Sequence, residues 1–237
     1  MTLCLVACAT AAIALVVLAL AGPAYRLGVL SLQNAFSVLR WAAYIGATGL
    51  IVALAAGALA RARRSRGRLV LAVLAFIGAL TAFAIPFQLQ RNARALPPIH
   101  DLTTDLENPP AFDAVVPLRV DAPNKLDRSP QLAEQQRAGY PDLAPMTLPT
   151  PMGQTFDRAL AAAQKAGWEI VTADKGSGRI EATDTTRWFG FKDDVVVRLT
   201  PWGSGTRVDV RSVSRIGRGD IGTNARRIRK YLQMLQG

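Results

Sequence analysis

Histidine and cysteine are nearly missing from this chain. His100 is the one histidine in 237 residues, and Cys4 and Cys8 are the two cysteines. A single histidine excludes a multi-histidine metal site within one chain. Both cysteines fall inside the first apolar run, so the remainder has no disulfide framework and no cysteine metal site. Acidic residues are absent up to Asp101. Seven arginines carry the side-chain charge of residues 1–90: Arg26, Arg40, Arg61, Arg63, Arg64, Arg66 and Arg68. They account for +7 of the net +11, so the high pI reflects membrane flanks, and no nucleic-acid partner is expected. No G-x-S-x-G, H-E-x-x-H or P-loop occurs, so no catalytic motif, cofactor or metal is expected either.

Long apolar runs are what the chain does have. Residues 2–21, 41–60 and 69–88 each approach the roughly 20 residues that span a bilayer. Between the second and third lies "RARRSRGR", residues 61–68, with five arginines. Clamped between two spans, it reads as a cytoplasmic loop under the positive-inside rule and not as a nucleic-acid patch. Three spans then place the N-terminus in the cytoplasm and the chain beyond residue 90 across the membrane. The expected location is a bacterial inner membrane, multi-pass, with a periplasmic C-terminal domain. Ala19-Leu20-Ala21 resembles a cleavage site and "LVAC", residues 5–8, a lipoprotein box. Both read as chance patterns in an Ala/Leu/Val-rich helix. "YRLGVLSLQNAFSVLR", residues 25–40, has loosely helical apolar spacing and is expected to lie in the interface.

Residues 91–150 are rich in proline and turn formers, with one short helix expected near 131–137. Ile99, Phe112, Val115, Val116, Leu118, Val120, Tyr140 and Leu143 recur through it, so it is expected to wrap over the next domain and not to be a bare tether. From Phe156 the pattern sharpens. "FDRALAAAQKAG" is a helix with Phe156, Leu160 and Ala163 on one face and Gly167 as its stop. "WEIVT", "RIEATDTT", "VVVRLT" and "TRVDVRSVS" read as four antiparallel strands joined by turns. "NARRIRKYLQML" is a helix with Ile228, Tyr231, Leu232 and Leu235 in a stripe. The expected fold class is α+β: three N-terminal transmembrane helices (1–90), a Pro-rich wrapping segment (91–150), and a four-stranded sheet with two helices on one face, α-β-β-β-β-α (151–237).

"GRGDIG", residues 217–222, is a literal G-x-G-x-x-G between a strand and a helix. A dinucleotide fingerprint needs a parallel βαβ unit and a later acidic residue. Here the preceding strands read as antiparallel and the sequence stops at Gly237. The glycines are expected to permit a tight turn, with Asp220 or Thr223 capping the helix. A weaker reading is an anion site at that helix start, near Asn224, approached by Arg211, Arg215 and Arg218. Its rival is internal pairing, of Arg215 with Asp220 or with acidic groups of the wrapping segment.

The blocks "TDLENPPAF", "GYPDLAP", "GWEIV", "RIEATDTTRWFGFKDDVVVRL" and "VDVRSVSRIGRGDIGTNARRIRKYL" together resemble the domain of unknown function 1499 family, over about residues 99–233. The resemblance implies an envelope-associated domain, often fused to membrane spans, and no established activity, cofactor or catalytic residue. It also implies that the Pro-rich segment is part of the folded domain.

Two clusters remain. "IHDLTTDLE" places His100 beside Asp101, an arrangement suited to acid–base chemistry, against the reading that these residues make local turns. Trp188, Phe189 and Phe191 form a ligand lip, a membrane-contacting edge, or simple packing. Arg187, Lys192, Arg198, Arg207 and Arg211 alternate with apolar neighbours and suggest an outward basic face, against the reading that, with Asp184, Asp193, Asp194 and Asp209 interleaved, it is a mixed solvated surface. The reading is a membrane-anchored binding or interaction module for an anionic envelope component or partner protein. Its candidate ligand-binding residues are Arg211, Arg215, Arg218, Asp220, Asn224, His100, Asp101 and Trp188. The alternatives are an envelope hydrolase built on His100 and Asp101, and a structural or assembly protein.

Overall fold

The computed structural model describes residues 1–236 and divides them into two compact units: Met1–Asn92 with Trp188–Gly190, and Ala93–Arg187 with residues 191–236. The first unit holds α1 (Thr2–Arg26), α2 (Leu32–Ala62) and α3 (Arg66–Ala95), each long and apolar enough to cross a membrane. Their buried positions recur at steps of three and four: Ala7, Ala11, Ala14 and Leu18 on α1, Ala42, Gly46, Gly49 and Ala53 on α2, Ala72, Ala75, Ala79 and Ala82 on α3. Lipid offers no hydrophobic drive between helices, so close backbone approach along a small-residue seam takes its place. A Cβ on Gly46 would lie 2.9 Å from the Ala79 carbonyl oxygen. The segment expected in the interface is not a separate element. Residues 25–40 divide between the end of α1, a turn, and the start of α2, because the Ser31 hydroxyl caps α2 by accepting from the Asn34 N–H at 3.2 Å.

The second unit is an antiparallel sheet with helices on one face. In chain order it contains β1 (Asp101–Thr103), a 3₁₀ turn (Val116–Arg119), α4 (Pro130–Gly139), β2 (Met146–Leu148), α5 (Met152–Lys165), β3 (Glu169–Asp174), β4 (Arg179–Thr185), β5 (Lys192–Trp202), β6 (Gly205–Ser214) and α6 (Thr223–Gln236). The strand order is β1-β6-β5-β4-β3, and β2 also pairs with β6. Six strands replace the expected four. The two additions are three-residue strands from the Pro-rich segment. β1 lies against residues 211–213 of β6 and β2 against 206–208, so they share one edge. Pairing that edge removes a row of open backbone groups.

Alternation along the central strands sets two faces. Ile180, Ala182, Val195, Val197, Leu199, Val208 and Val210 join Phe156, Ala159, Ala163, Ile228, Tyr231 and Leu235 in one core beneath α5 and α6. Ile99, Leu102, Tyr140 and Leu143 of the Pro-rich segment enter the same core. Val116, Leu118 and Val120, expected to be covered, are exposed instead. The opposite face of the sheet carries charge, and the segment after β1, residues 105–128, reaches side chains there.

Candidate functional site

Arg211 of β6 and Arg215, just past its end, are four positions apart and so share that second face. Each meets a buried aspartate brought from elsewhere in the chain. Arg211 donates from Nε to Asp101 Oδ1 at 3.0 Å and from Nη2 to Oδ2 at 2.8 Å. Arg128 adds a bond to Oδ1 at 2.9 Å. Register places Asp101 opposite Val213, one strand over from Arg211. Arg215 donates from Nε and Nη2 to the two oxygens of Asp194, at 2.9 and 2.8 Å. Arg119 reaches Asp194 Oδ2 from the 3₁₀ turn, and the Thr183 hydroxyl donates to Oδ1 at 2.7 Å.

These clasps fasten the wrap. The guanidiniums' remaining N–H groups bond carbonyls of the same segment: Arg211 to Leu126 at 2.6 Å and Arg215 to Leu118 at 2.8 Å. Glu181 of β4 accepts from the Asp113 and Val115 N–H groups at 2.9 and 3.0 Å. Gln136 of α4 acts like a further strand residue beside β1. Its side chain accepts from the Thr103 N–H at 3.1 Å and donates to the Thr103 carbonyl at 2.6 Å. Farther along β6, Asp105 and Asp209 share Arg198 and Arg207 at 2.8–3.1 Å. The expected outward basic face is thus, for Arg198, Arg207 and Arg211, a covered layer of ion pairs, while Arg187 and Lys192 are exposed. Burial pushes the Asp194 carboxyl up, but hydrogen bonds from Arg215, Thr183 and Arg119 outweigh it and hold it below the usual carboxylate range.

The corner at the start of α6 lies on the helix side. Asp220 accepts from the Gly222 N–H at 2.9 Å and from the Asn224 N–H, so an internal carboxylate occupies the helix N-terminus. Gly217 and Gly222 have φ of 100° and 75°, which glycine adopts without strain. Burial pushes the Asp220 carboxyl above its ordinary value. Asn224 is fully buried. It donates to the His100 carbonyl and to Ser214 Oγ, both at 3.0 Å, and accepts from Ser212 Oγ at 2.7 Å and from Arg227. His100 is half-buried, with Nδ1 3.4 Å from the Arg218 carbonyl. Its ring has no carboxylate partner among the described residues. Arg218 is exposed.

Trp188 belongs to the first unit. Its indole N–H donates to the Ala19 carbonyl at 3.3 Å. That carbonyl lies four residues before Pro23, which has no N–H to offer it. The indole supplies the missing donor, and Gly22 leaves room for it, since a Cβ there would fall 2.4 Å from the ring. Phe189 packs edge-on to Trp188 at 5.1 Å and against Tyr25 and Phe36 at about 6 Å.

Within the second unit the structure therefore joins Asp101 to Arg211, His100 to Asn224 and Arg218, and Arg215 to Asp194; Trp188 belongs to the first unit. Sequence reasoning did not single out Arg119, Arg128 and Glu181, and read Asp194 as part of a solvated surface; these are the partners that close the layer. The doublet Asp193-Asp194, opening a run of valines in a central strand, was the available signal. Residues 101–235 match the model of a family described as protein of unknown function (DUF1499), and the chain belongs to that family. No curated protein matches it.

Proposed function

We propose that this membrane-anchored member of the DUF1499 family is a binding module of the bacterial inner membrane. Its soluble domain lies in the periplasm and recognises an anionic envelope component or a partner protein at the membrane surface. Three apolar helices and the arginine-rich connection between the second and third support that orientation. One observation carries the choice of binding over chemistry. The charged side chains that resemble catalytic groups already use their lone pairs and N–H groups on each other. Asp101 is held by Arg211 and Arg128, and Asp194 by Arg215 and Arg119. Both carboxylates are buried and already bonded, so neither is open to a substrate. Recognition then falls to exposed groups, and Arg218 is the candidate contact for an anion.

Complementation in cells lacking the chromosomal copy tests this. Full-length His100→Ala restores the envelope phenotype, and Arg218→Glu does not, with both chains accumulating normally. A folded His100→Ala chain that fails beside a functional Arg218→Glu chain supports the enzyme reading and overturns this one.

A further inference from the structure

Four large apolar side chains are exposed in the second unit among its described residues: Val116 at 48 %, Leu118 at 52 %, Val120 at 77 % and Trp202 at 57 %. Three of them occupy a single turn of five residues. Apolar side chains scattered singly need no account, but a cluster on one turn does. This turn is also rigidly mounted. Val115, just before it, is fully buried and its N–H is held by Glu181. Arg119, within it, points inward to Asp194 and to the Asn124 carbonyl at 2.9 Å. The Leu118 carbonyl accepts from Arg215. The buried charges fix the backbone, and the outward side chains are apolar.

We propose that residues 116–120 form a membrane-docking turn that inserts into the headgroup region of the bilayer carrying the protein's own helices. The proposal rests on the membrane-anchored reading above and names what this surface of the domain meets. Chain path supports a lipid occupant. The turn lies at the end of the sheet formed by residues 192–194 of β5 and 213–214 of β6, with Arg215 just beyond, where Asp101 of β1 pairs with Val213. The apolar run of α3 ends at residue 88, and seven more helical residues to Ala95 and then residues 96–100 lead to this end of the sheet. Helix and linker together reach no farther than about 30 Å. The bilayer is therefore the apolar phase held within reach of this end for the life of the protein. Trp202 is at the opposite end, on the β5–β6 hairpin. Lys125, Arg187, Lys192 and Arg218 stand exposed at the turn's end, interleaved with Asp113, Asp121 and Asp127. The charge bias toward anionic headgroups is modest, and the apolar side chains carry the contact.

The test uses the full chain with Cys4→Ala and Cys8→Ala. A single cysteine is added by Val120→Cys or, as the control, Trp202→Cys, and labelled with an environment-sensitive fluorophore. In vesicles of phosphatidylethanolamine and phosphatidylglycerol, the label at 120 shows blue-shifted emission. It loses intensity to a phospholipid bearing a nitroxide high on its acyl chain. The label at 202 shows neither effect. If both labels emit as in water and escape the lipid quencher, the proposal is overturned. It is equally overturned if the label at 120 is aqueous in vesicles but shielded in native membranes, since a protein then covers the turn. Labelling of 202 in intact cells by a reagent that cannot cross the inner membrane checks the periplasmic placement separately. Failure there removes that placement whatever the quenching shows.

Discussion

Asp194 illustrates how single residues govern this domain. Its carboxylate is fully buried and binds two guanidiniums and a hydroxyl. Removing one partner of a buried pair leaves uncompensated charge, which costs about 3–5 kcal/mol. Asp194→Asn is expected to lower stability by about that amount in denaturant unfolding of the purified chain. The pH dependence has a definite sign. The Asp194 pKa is depressed in the fold, so its contribution is complete above about pH 4 and is lost as pH falls through the lowered value. Asp220 runs the other way. Its pKa is raised, so its contribution is present at low pH and is lost as pH rises through the raised value. Melting curves across pH should show a shallower acid limb for Asp194→Asn. They should show a smaller decline toward neutrality for Asp220→Asn, whose amide oxygen still caps α6. Arg218→Ala should leave melting unchanged. The shared face of Arg207, Arg211 and Arg215 was legible in the sequence from strand alternation alone. The partners Asp101 and Asp105 were not, because they lie about a hundred positions from Arg211 and Arg207 and nothing local marks them.

At the scale of elements, hydrogen-bond supply explains pieces that propensity does not. Pro23 leaves the Ala19 carbonyl without its helical donor, and Trp188 fills the gap. Trp188→Phe keeps most of the packing and removes the N–H. It should cost the helical unit about 1 kcal/mol in detergent unfolding. An unchanged midpoint would show that the indole acts by packing alone. Gly46→Leu should be far worse, because its side chain meets the α3 backbone. The four long strands and α5 and α6 were readable because each repeats its pattern over enough residues. β1 and β2 were not, at three residues each. They exist because the β6 edge needs partners, which is a property of the assembled sheet. The exposure of Val116, Leu118 and Val120 ran against the hydrophobic pattern for a related reason. Arg119 is drawn inward to Asp194, and in a tight turn its neighbours then face outward.

For the whole molecule, composition divides the chain more sharply than any motif does. Acidic residues begin at Asp101, where the sheet begins, and the family match begins there too. The part before it is built to cross a membrane. The part after it closes its charges on one another beneath a Pro-rich wrap. On the proposed orientation, replacing Arg61, Arg63, Arg64, Arg66 and Arg68 with neutral residues should give mixed topology. The most direct measurement is a pair of C-terminal fusions to the intact chain. One carries an alkaline phosphatase that is active only outside the cytoplasm, and the other a fluorescent protein that matures only inside. A periplasmic binding domain predicts an active phosphatase and a dark fluorescent fusion. A fluorescent fusion with an inactive phosphatase would put the domain in the cytoplasm and contradict the account.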